Sequence, residues 1–126
     1  GERHHAEELA ALAADRGARP VLAPDTTLRQ YIALLQAHAA AFAGGDTGPM
    51  HIAAAAGVPT VALYGPSDSK RCVPAFEGAR YVTLQDFSQP CAATGARRCP
   101  HHPRPGQCLA AITPEAVMDA LGQVME

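Results

Sequence analysis

The sequence predicts a doubly wound α/β domain built on a parallel sheet. Short apolar segments alternate along the chain with segments of helical periodicity, an order typical of a parallel sheet covered by helices. The segment from Val58 to Tyr64 is almost continuously apolar, as expected for a strand that is buried on both faces of such a sheet.

The first half of the chain is predicted to alternate between helices and strands. Residues 5–16 have the apolar spacing of a helix that ends at Gly17, and residues 19–23 are expected to form a short strand. A second helix is predicted over residues 28–38, because Thr27 and the glutamine three residues later resemble a capping box. Residues 39–43 are expected to form the next strand.

The second half is predicted to contain two helices and two strands. A proline is well suited to the start of a helix and a glycine to its end, which predicts a short helix from Pro49 to just before Gly57. The other elements are strands at 58–64 and 80–84 and a final helix from Thr113 to about Val124. Residues 85–111, rich in Pro, Cys, His and Arg, are long for a plain connection, which predicts a functional or poorly ordered loop.

Length, composition and charge exclude several classes of protein. A chain of 126 residues with 48% hydrophobic and 17% charged residues is typical of a single globular domain. The formal net charge of −2 provides no basic field for nucleic acid, so no nucleic-acid partner is expected. No apolar run is long enough to span a bilayer. The abrupt start at Gly1, with no preceding strand, suggests a piece of a larger protein.

The most informative segment is a glycine-rich turn between a predicted strand and a predicted helix, GGDTGPMH at residues 44–51. Unpaired N–H groups and the positive end of a helix dipole meet at such a point, which favours an anion and most often a phosphate. Asp46 lies where the carboxyl end of a parallel strand is expected, the edge at which open α/β sheets bind ligands. The alternative is that Asp46 caps the helix, and the two roles are compatible.

The wider segment resembles glycosyltransferase family 9, the ADP-heptose:lipopolysaccharide heptosyltransferases. The sequence DTGPMHIAAAAGVPTVALYGPSD agrees with that family's pattern in order and spacing, except that Ser69 replaces the usual proline after the last aspartate. The matching positions are Asp46, Thr47, Gly48, His51, Gly57, Pro59 and Gly65 to Asp68.

The resemblance implies a Rossmann-like domain, residues 1–126, that forms the C-terminal, donor-binding half of a two-domain GT-B glycosyltransferase. It implies transfer of heptose from ADP-heptose to the lipopolysaccharide inner core by an inverting reaction, without a cofactor. The family takes its catalytic base from the other domain, which also provides the acceptor site, so no catalytic residue is expected here. The implied location is cytoplasmic, with peripheral contact at the inner face of the inner membrane.

The resemblance also implies roles for individual residues. Asp46 would hydrogen-bond the transferred sugar, the N–H groups of Thr47 and Gly48 would meet the pyrophosphate, and His51 would contact the donor. The alternative for His51 is a structural role beside the turn. Ser67 and Asp68 would line the sugar pocket, although Gly-Pro-Ser-Asp is also strong turn chemistry.

An acidic residue near the first helix would bind the ribose of the nucleoside. Glu2 is the first candidate by resemblance, and Glu7 and Glu8 are close rivals. The alternative is that these acids are solvated at the N-terminus of the helix, where a negative charge interacts favourably with the helix dipole.

The four cysteines raise a different hypothesis, a non-catalytic metal-binding module. Cys91, Cys99 and Cys108, with His101 and His102, have the residue types of a zinc site. No Cys-x-x-Cys pair is present, so no metal is expected. The cysteines are expected to be thiols because the implied location is cytoplasmic. A further alternative is another GT-B enzyme, such as a UDP-N-acetylglucosamine 2-epimerase.

Overall fold

The computed structural model describes residues 2–95 and 106–126, without the side chain of Glu2. The helices are α1 (Glu2–Asp15), α2 (Leu28–His38), α3 (Gly48–Ala55), α4 (Gln107–Ala110) and α5 (Pro114–Met125). The strands are β1 (Phe42–Gly45), β2 (Thr60–Tyr64) and β3 (Tyr81–Gln85). The chain divides into two compact units between Tyr31 and Ile32, within α2.

The first unit contains α1, on which the side chains of Leu9 and Leu12 are exposed. The predicted helix is confirmed, and it ends where Gly17 adopts a φ of +83°. The predicted strand at residues 19–23 is wrong: these residues pair with no described strand, and Val21 is 89% exposed. Pro20 lacks the N–H that a ladder requires, which is a physical reason for the failure.

The predicted capping box at the start of α2 is confirmed. The backbone N–H of Thr27 donates to Oε1 of Gln30 at 2.9 Å, and the N–H of Gln30 donates to Oγ1 of Thr27 at 3.3 Å. These reciprocal bonds satisfy two N–H groups at the helix start and fix where α2 begins.

The second unit contains a parallel sheet in the order β1-β2-β3, which confirms the parallel α/β prediction. The strand β1 begins at Phe42, three residues later than predicted, because its start depends on which residues of β2 it pairs with. Phe42 is in register with Thr60, so residues 39–41 would face a segment that contains Gly57, at a φ of +81°, and Pro59. Neither residue supports a regular ladder at that point.

Helices cover both faces of the sheet, and alternation along β2 builds the two layers of core. Ala62 and Tyr64 face Met50 of α3 on one side. Val61 faces Ala120 and Val124 of α5 on the other side. No described residue of these two clusters lies in the first unit, so the second unit supplies its own core.

The remaining connections differ in part from the sequence prediction. The final helix begins as predicted, with Oγ1 of Thr113 accepting a hydrogen bond from the N–H of Ala116 at 3.2 Å. The predicted loop over residues 85–111 contains the short helix α4, which the sequence analysis missed. In the described parts of the chain, no helix is long and apolar enough to cross a membrane.

Candidate functional site

The carboxyl ends of β1 and β2 lie side by side and define the candidate site. Gly45 is in register with Leu63, so Asp46 leaves β1 beside the point where Gly65 leaves β2. The N–H of Asp46 donates to the carbonyl of Leu63 at 3.2 Å and holds the turn against the sheet. The glycine-rich turn is therefore at the sheet edge where α/β proteins bind ligands.

Asp46 and His51 form a pair across the first turn of α3. Nε2 of His51 lies 3.2 Å from Oδ1 of Asp46, with side chains that are 35% and 17% exposed respectively. Because a carboxylate oxygen is an acceptor, we assign the proton to Nε2 and leave Nδ1 of a neutral ring as an acceptor. A protonated ring would offer Nδ1 as a second donor.

The cap of α3 is Thr47 and not Asp46, so the interpretation of Asp46 as a helix cap is wrong. Thr47 has an extended backbone, and its hydroxyl makes no capping hydrogen bond to the helix. The hydroxyl instead donates to the carbonyl of Gly45 at 3.3 Å. The carboxylate of Asp46 is thus committed to His51 and is not used to close the helix start.

Two backbone N–H groups at the start of α3 are available to a ligand. Among the described residues, those of Thr47 and Gly48 have no hydrogen-bond partner, and both residues are exposed. The helix begins at Gly48 and Pro49 is its second residue. Because proline has no backbone N–H, the position after Gly48 offers no donor. The turn presents two donors at the positive end of the helix dipole.

Tyr64 connects the two halves of the candidate site. Its side chain is fully buried against Met50 of α3, and its hydroxyl donates to the carbonyl of Cys72 at 2.7 Å. Burial, followed by the negative charge of Asp46 and the effects of Cys72 and Tyr81, raises the pKa of Tyr64 to about 12. The phenol therefore stays protonated at neutral pH and acts as a fixed donor.

Ser67 and Asp68 form a turn and also line a cavity, so the two interpretations of this segment are compatible. Oδ1 of Asp68 accepts from the N–H of Lys70 at 2.9 Å, and its carbonyl accepts from Arg71 and Cys72. The cavity has a volume of about 390 Å³ and is lined by Ser67, Asp68, Arg71, Cys72, Ala93, Thr94 and Gly95. Nζ of Lys70 lies 6.0 Å from the ring centre of Phe87 and faces that ring.

Two structural contributors were missed by the sequence analysis. Tyr64 and Gln85 are the last residues of their strands and are paired in register. Gln85 bonds the segment that carries Ser67 and Asp68. Tyr64 is the last residue of the predicted strand 58–64, whereas Gln85 lies one residue beyond the predicted strand 80–84, so the sequence offered a positional signal for Tyr64 alone.

The predicted ribose contact at Glu2 stays a prediction. Glu2 begins α1 in the first unit, and its side chain lies outside the described atoms. Its rivals are engaged on the exposed surface of α1: Glu7 lies 3.5 Å from Arg3, and Glu8 lies 3.3 Å from His4. These pairs favour the solvated interpretation for Glu7 and Glu8.

The structure describes only some of the residues of the hypothetical zinc site. Cys99, His101 and His102 lie outside the described residues. Cys72 is a half-buried free thiol, and Cys108 is a buried free thiol whose Sγ lies against Gly65. Over residues 2–95 and 106–126, no group of three or more His, Cys, Asp or Glu side chains is placed to hold a metal.

Comparison with known proteins gives one family and one curated relative. The model of glycosyltransferase family 9 (heptosyltransferase) matches residues 1–101. Lipooligosaccharide heptosyltransferase 2 of Haemophilus influenzae is 32% identical over 104 residues, which is 82% of this chain and 29% of that relative. No solved structure matches.

Proposed function

The chain belongs to glycosyltransferase family 9, and we propose that it forms the donor-binding domain of a heptosyltransferase. The donor would be ADP-heptose, and the acceptor the inner core of a lipopolysaccharide or lipooligosaccharide. The relative's name supports this acceptor class. The observation that supports a donor site most directly is the Asp46–His51 pair beside two unpartnered N–H groups.

The proposed donor pose follows the chemistry of the glycine-rich turn. The N–H groups of Thr47 and Gly48 would bind pyrophosphate oxygens, since a helix start attracts anions. Asp46 would accept a hydrogen bond from a hydroxyl of the heptose, and His51 would contact the donor through its remaining ring nitrogen. Ser67 and Asp68 would line the sugar pocket.

The proposed reaction is a single inverting displacement. An acceptor hydroxyl oxygen attacks the anomeric carbon of heptose while the bond from that carbon to the β-phosphate oxygen breaks. The hydroxyl proton passes to a base outside this chain, and ADP leaves with the bonding electron pair. The helix start would stabilise the charge that develops on the leaving pyrophosphate, with no cofactor required.

The proposed organisation places residues 1–126 in the C-terminal half of a two-domain GT-B enzyme. Glu2 would bind the ribose, and the acceptor and base would come from the other half. The curated match covers 29% of its relative's length. We propose a cytoplasmic enzyme that makes peripheral contact with the inner face of the inner membrane, where the acceptor is held.

Transfer by the full-length protein tests this function. We expect heptose from ADP-heptose to appear on a heptose-deficient core acceptor, and we expect ADP to bind more tightly than UDP. Epimerisation of UDP-N-acetylglucosamine, with no transfer from ADP-heptose, would instead identify the other class of GT-B enzyme.

Metal analysis tests the remaining alternative. One zinc per chain, lost together with the fold in Cys99→Ser, would support a structural metal module, because metal binding and folding are coupled in such modules. We expect no stoichiometric metal and unchanged transfer in that variant.

A further inference from the structure

A single side chain organises the segment that leaves β2. Gln85, the last residue of β3, lies in register with Tyr64, the last residue of β2. Its Nε2 donates to the carbonyl of Gly65 at 2.8 Å and to the carbonyl of Ser67 at 2.7 Å. Its Oε1 accepts from the N–H of Ser69 at 3.3 Å.

These three bonds determine the orientation of the amide. Two carbonyl oxygens need a donor and one N–H needs an acceptor, and only the observed placement of nitrogen and oxygen satisfies all three. No other amino acid side chain of this length offers two donors and one acceptor at one planar tip. Glutamine therefore suits this position because its amide matches the two carbonyl groups and the one N–H group that need partners.

Apart from Gln85, hydrogen bonds hold this segment at Pro66 and at Asp68. Residues 65–69 belong to no helix or strand, so their backbone groups depend on partners from elsewhere. Besides the bonds to Gln85, the carbonyl of Pro66 accepts from the N–H of Gly95 at 2.7 Å, and the carbonyl of Asp68 accepts from the N–H groups of Arg71 and Cys72 at 3.0 and 2.9 Å. Gly65 is buried against Sγ of Cys108, and Ser69 is also buried, so the segment is fixed at both ends.

We propose that Gln85 is the positioning residue for Ser67 and Asp68, holding both at the wall of the cavity that Arg71 and residues 93–95 also line. This inference rests on the proposed function, in which these two residues line the sugar pocket. Gln85 itself would touch no substrate. It would act by fixing the backbone at Gly65, Ser67 and Ser69, and thereby the direction in which the intervening side chains meet the sugar.

The test is a comparison of two ligands in the full-length enzyme carrying Gln85→Glu. This substitution keeps the shape, removes both donors and places a carboxylate against two carbonyls. We expect kcat/KM for ADP-heptose to fall about tenfold or more. The dissociation constant of ADP, which would bind at the turn after β1, should stay within about twofold of the wild-type value. Gln123→Glu, the same change at an exposed position of α5, should alter neither.

A double-mutant cycle separates positioning from a general loss of structure. If Gln85 acts through Asp68, Gln85→Glu should cost much less in an Asp68→Ala background than in the wild type. Gln85→Met, which retains chain length without an amide, should reproduce the selective loss of ADP-heptose turnover. Additive losses, or equal losses for ADP and ADP-heptose with a lowered unfolding temperature, would overturn the inference.

The outcomes also distinguish this inference from the function on which it rests. A wild-type enzyme that does not use ADP-heptose would overturn the proposed function and this inference with it. A wild-type enzyme that uses ADP-heptose, with unchanged efficiency in both Gln85 variants, would overturn only the role of Gln85.

Discussion

Nε2 of His51 lies 3.2 Å from Oδ1 of Asp46, although the two residues are five positions apart in sequence and the start of α3 lies between them. The contact brings together an acid from the end of a strand and a base from the first turn of a helix. Both side chains are partly buried. A substitution at either position therefore changes the hydrogen bonding of the other, and the two must be tested together.

Replacing Asp46 should separate sugar binding from nucleotide binding. Asp46→Ala removes a carboxylate but leaves the N–H groups of Thr47 and Gly48 in place, so ADP should still bind weakly. Turnover of ADP-heptose by the full-length enzyme should fall by roughly a hundredfold or more, the scale of losing a charge-assisted hydrogen bond worth about 2–3 kcal/mol. Steady-state transfer and ADP calorimetry measure the two effects.

His38→Ala is the control for this prediction. His38 is exposed at the end of α2, and its replacement should be near neutral. A folded Asp46→Ala enzyme with wild-type turnover would place the donor site elsewhere.

The turnover of His51 variants should depend on whether the new side chain can hydrogen-bond Asp46. His51→Gln retains an N–H donor near the carboxylate, whereas His51→Leu retains only bulk and leaves a half-buried carboxylate without its partner. We expect His51→Leu to lose about tenfold or more turnover relative to His51→Gln, because an unsatisfied buried polar group costs about 1–3 kcal/mol and a charged one costs more. Equal activity of the two variants would show that the pair does not organise the site.

The sequence was sufficient where local chemistry alone determines the structure. Gly57 and Pro59 located the end of α3, and Thr27 located the start of α2. The sequence was insufficient where the structure depends on contacts between segments that are distant along the chain. The limits of β1 follow from its register with β2, and the contact between Asp46 and His51 follows from the angle at which α3 leaves the turn.

The role of Gln85 is a further example of this limit. A glutamine just after a predicted strand has no distinctive sequence pattern, and its three partners lie 16 to 20 residues earlier. Only the parallel pairing of β2 with β3 brings them within hydrogen-bond distance. The strand at residues 19–23 failed for the related reason that no described strand pairs with it.

Two threonine caps should differ in their contribution to stability. Oγ1 of Thr113 accepts a hydrogen bond from the N–H of Ala116, whereas Thr47 caps α3 without any such bond. Thr113→Ala should lower the free energy of unfolding by about 1 kcal/mol, the usual cost of losing an N-cap side chain. Thr47→Ala should cost clearly less. Urea unfolding compares them, and equal losses would show that the hydrogen bond of Thr113 contributes little.

Tyr64→Phe should destabilise the protein in a pH-dependent way. The variant leaves the carbonyl of Cys72 without its 2.7 Å partner, so we expect a loss of about 1–3 kcal/mol in the free energy of unfolding at neutral pH. Tyr81→Phe is the control, because Tyr81 is exposed and its hydroxyl has no hydrogen-bond partner among the described residues. That change should stay within about 0.5 kcal/mol.

The sign of the pH effect follows from the raised pKa of Tyr64, about 12 in the folded protein against 10.0 for an ordinary tyrosine. The folded state holds the phenolic proton more tightly, so this contribution to stability is complete below pH 10 and is lost as pH rises through 12. The difference in unfolding free energy between wild type and Tyr64→Phe should therefore shrink over that interval. Groups that titrate in both proteins cancel in the comparison. A difference that stays constant or grows toward pH 12 would show that the hydroxyl is not held as a buried donor to Cys72.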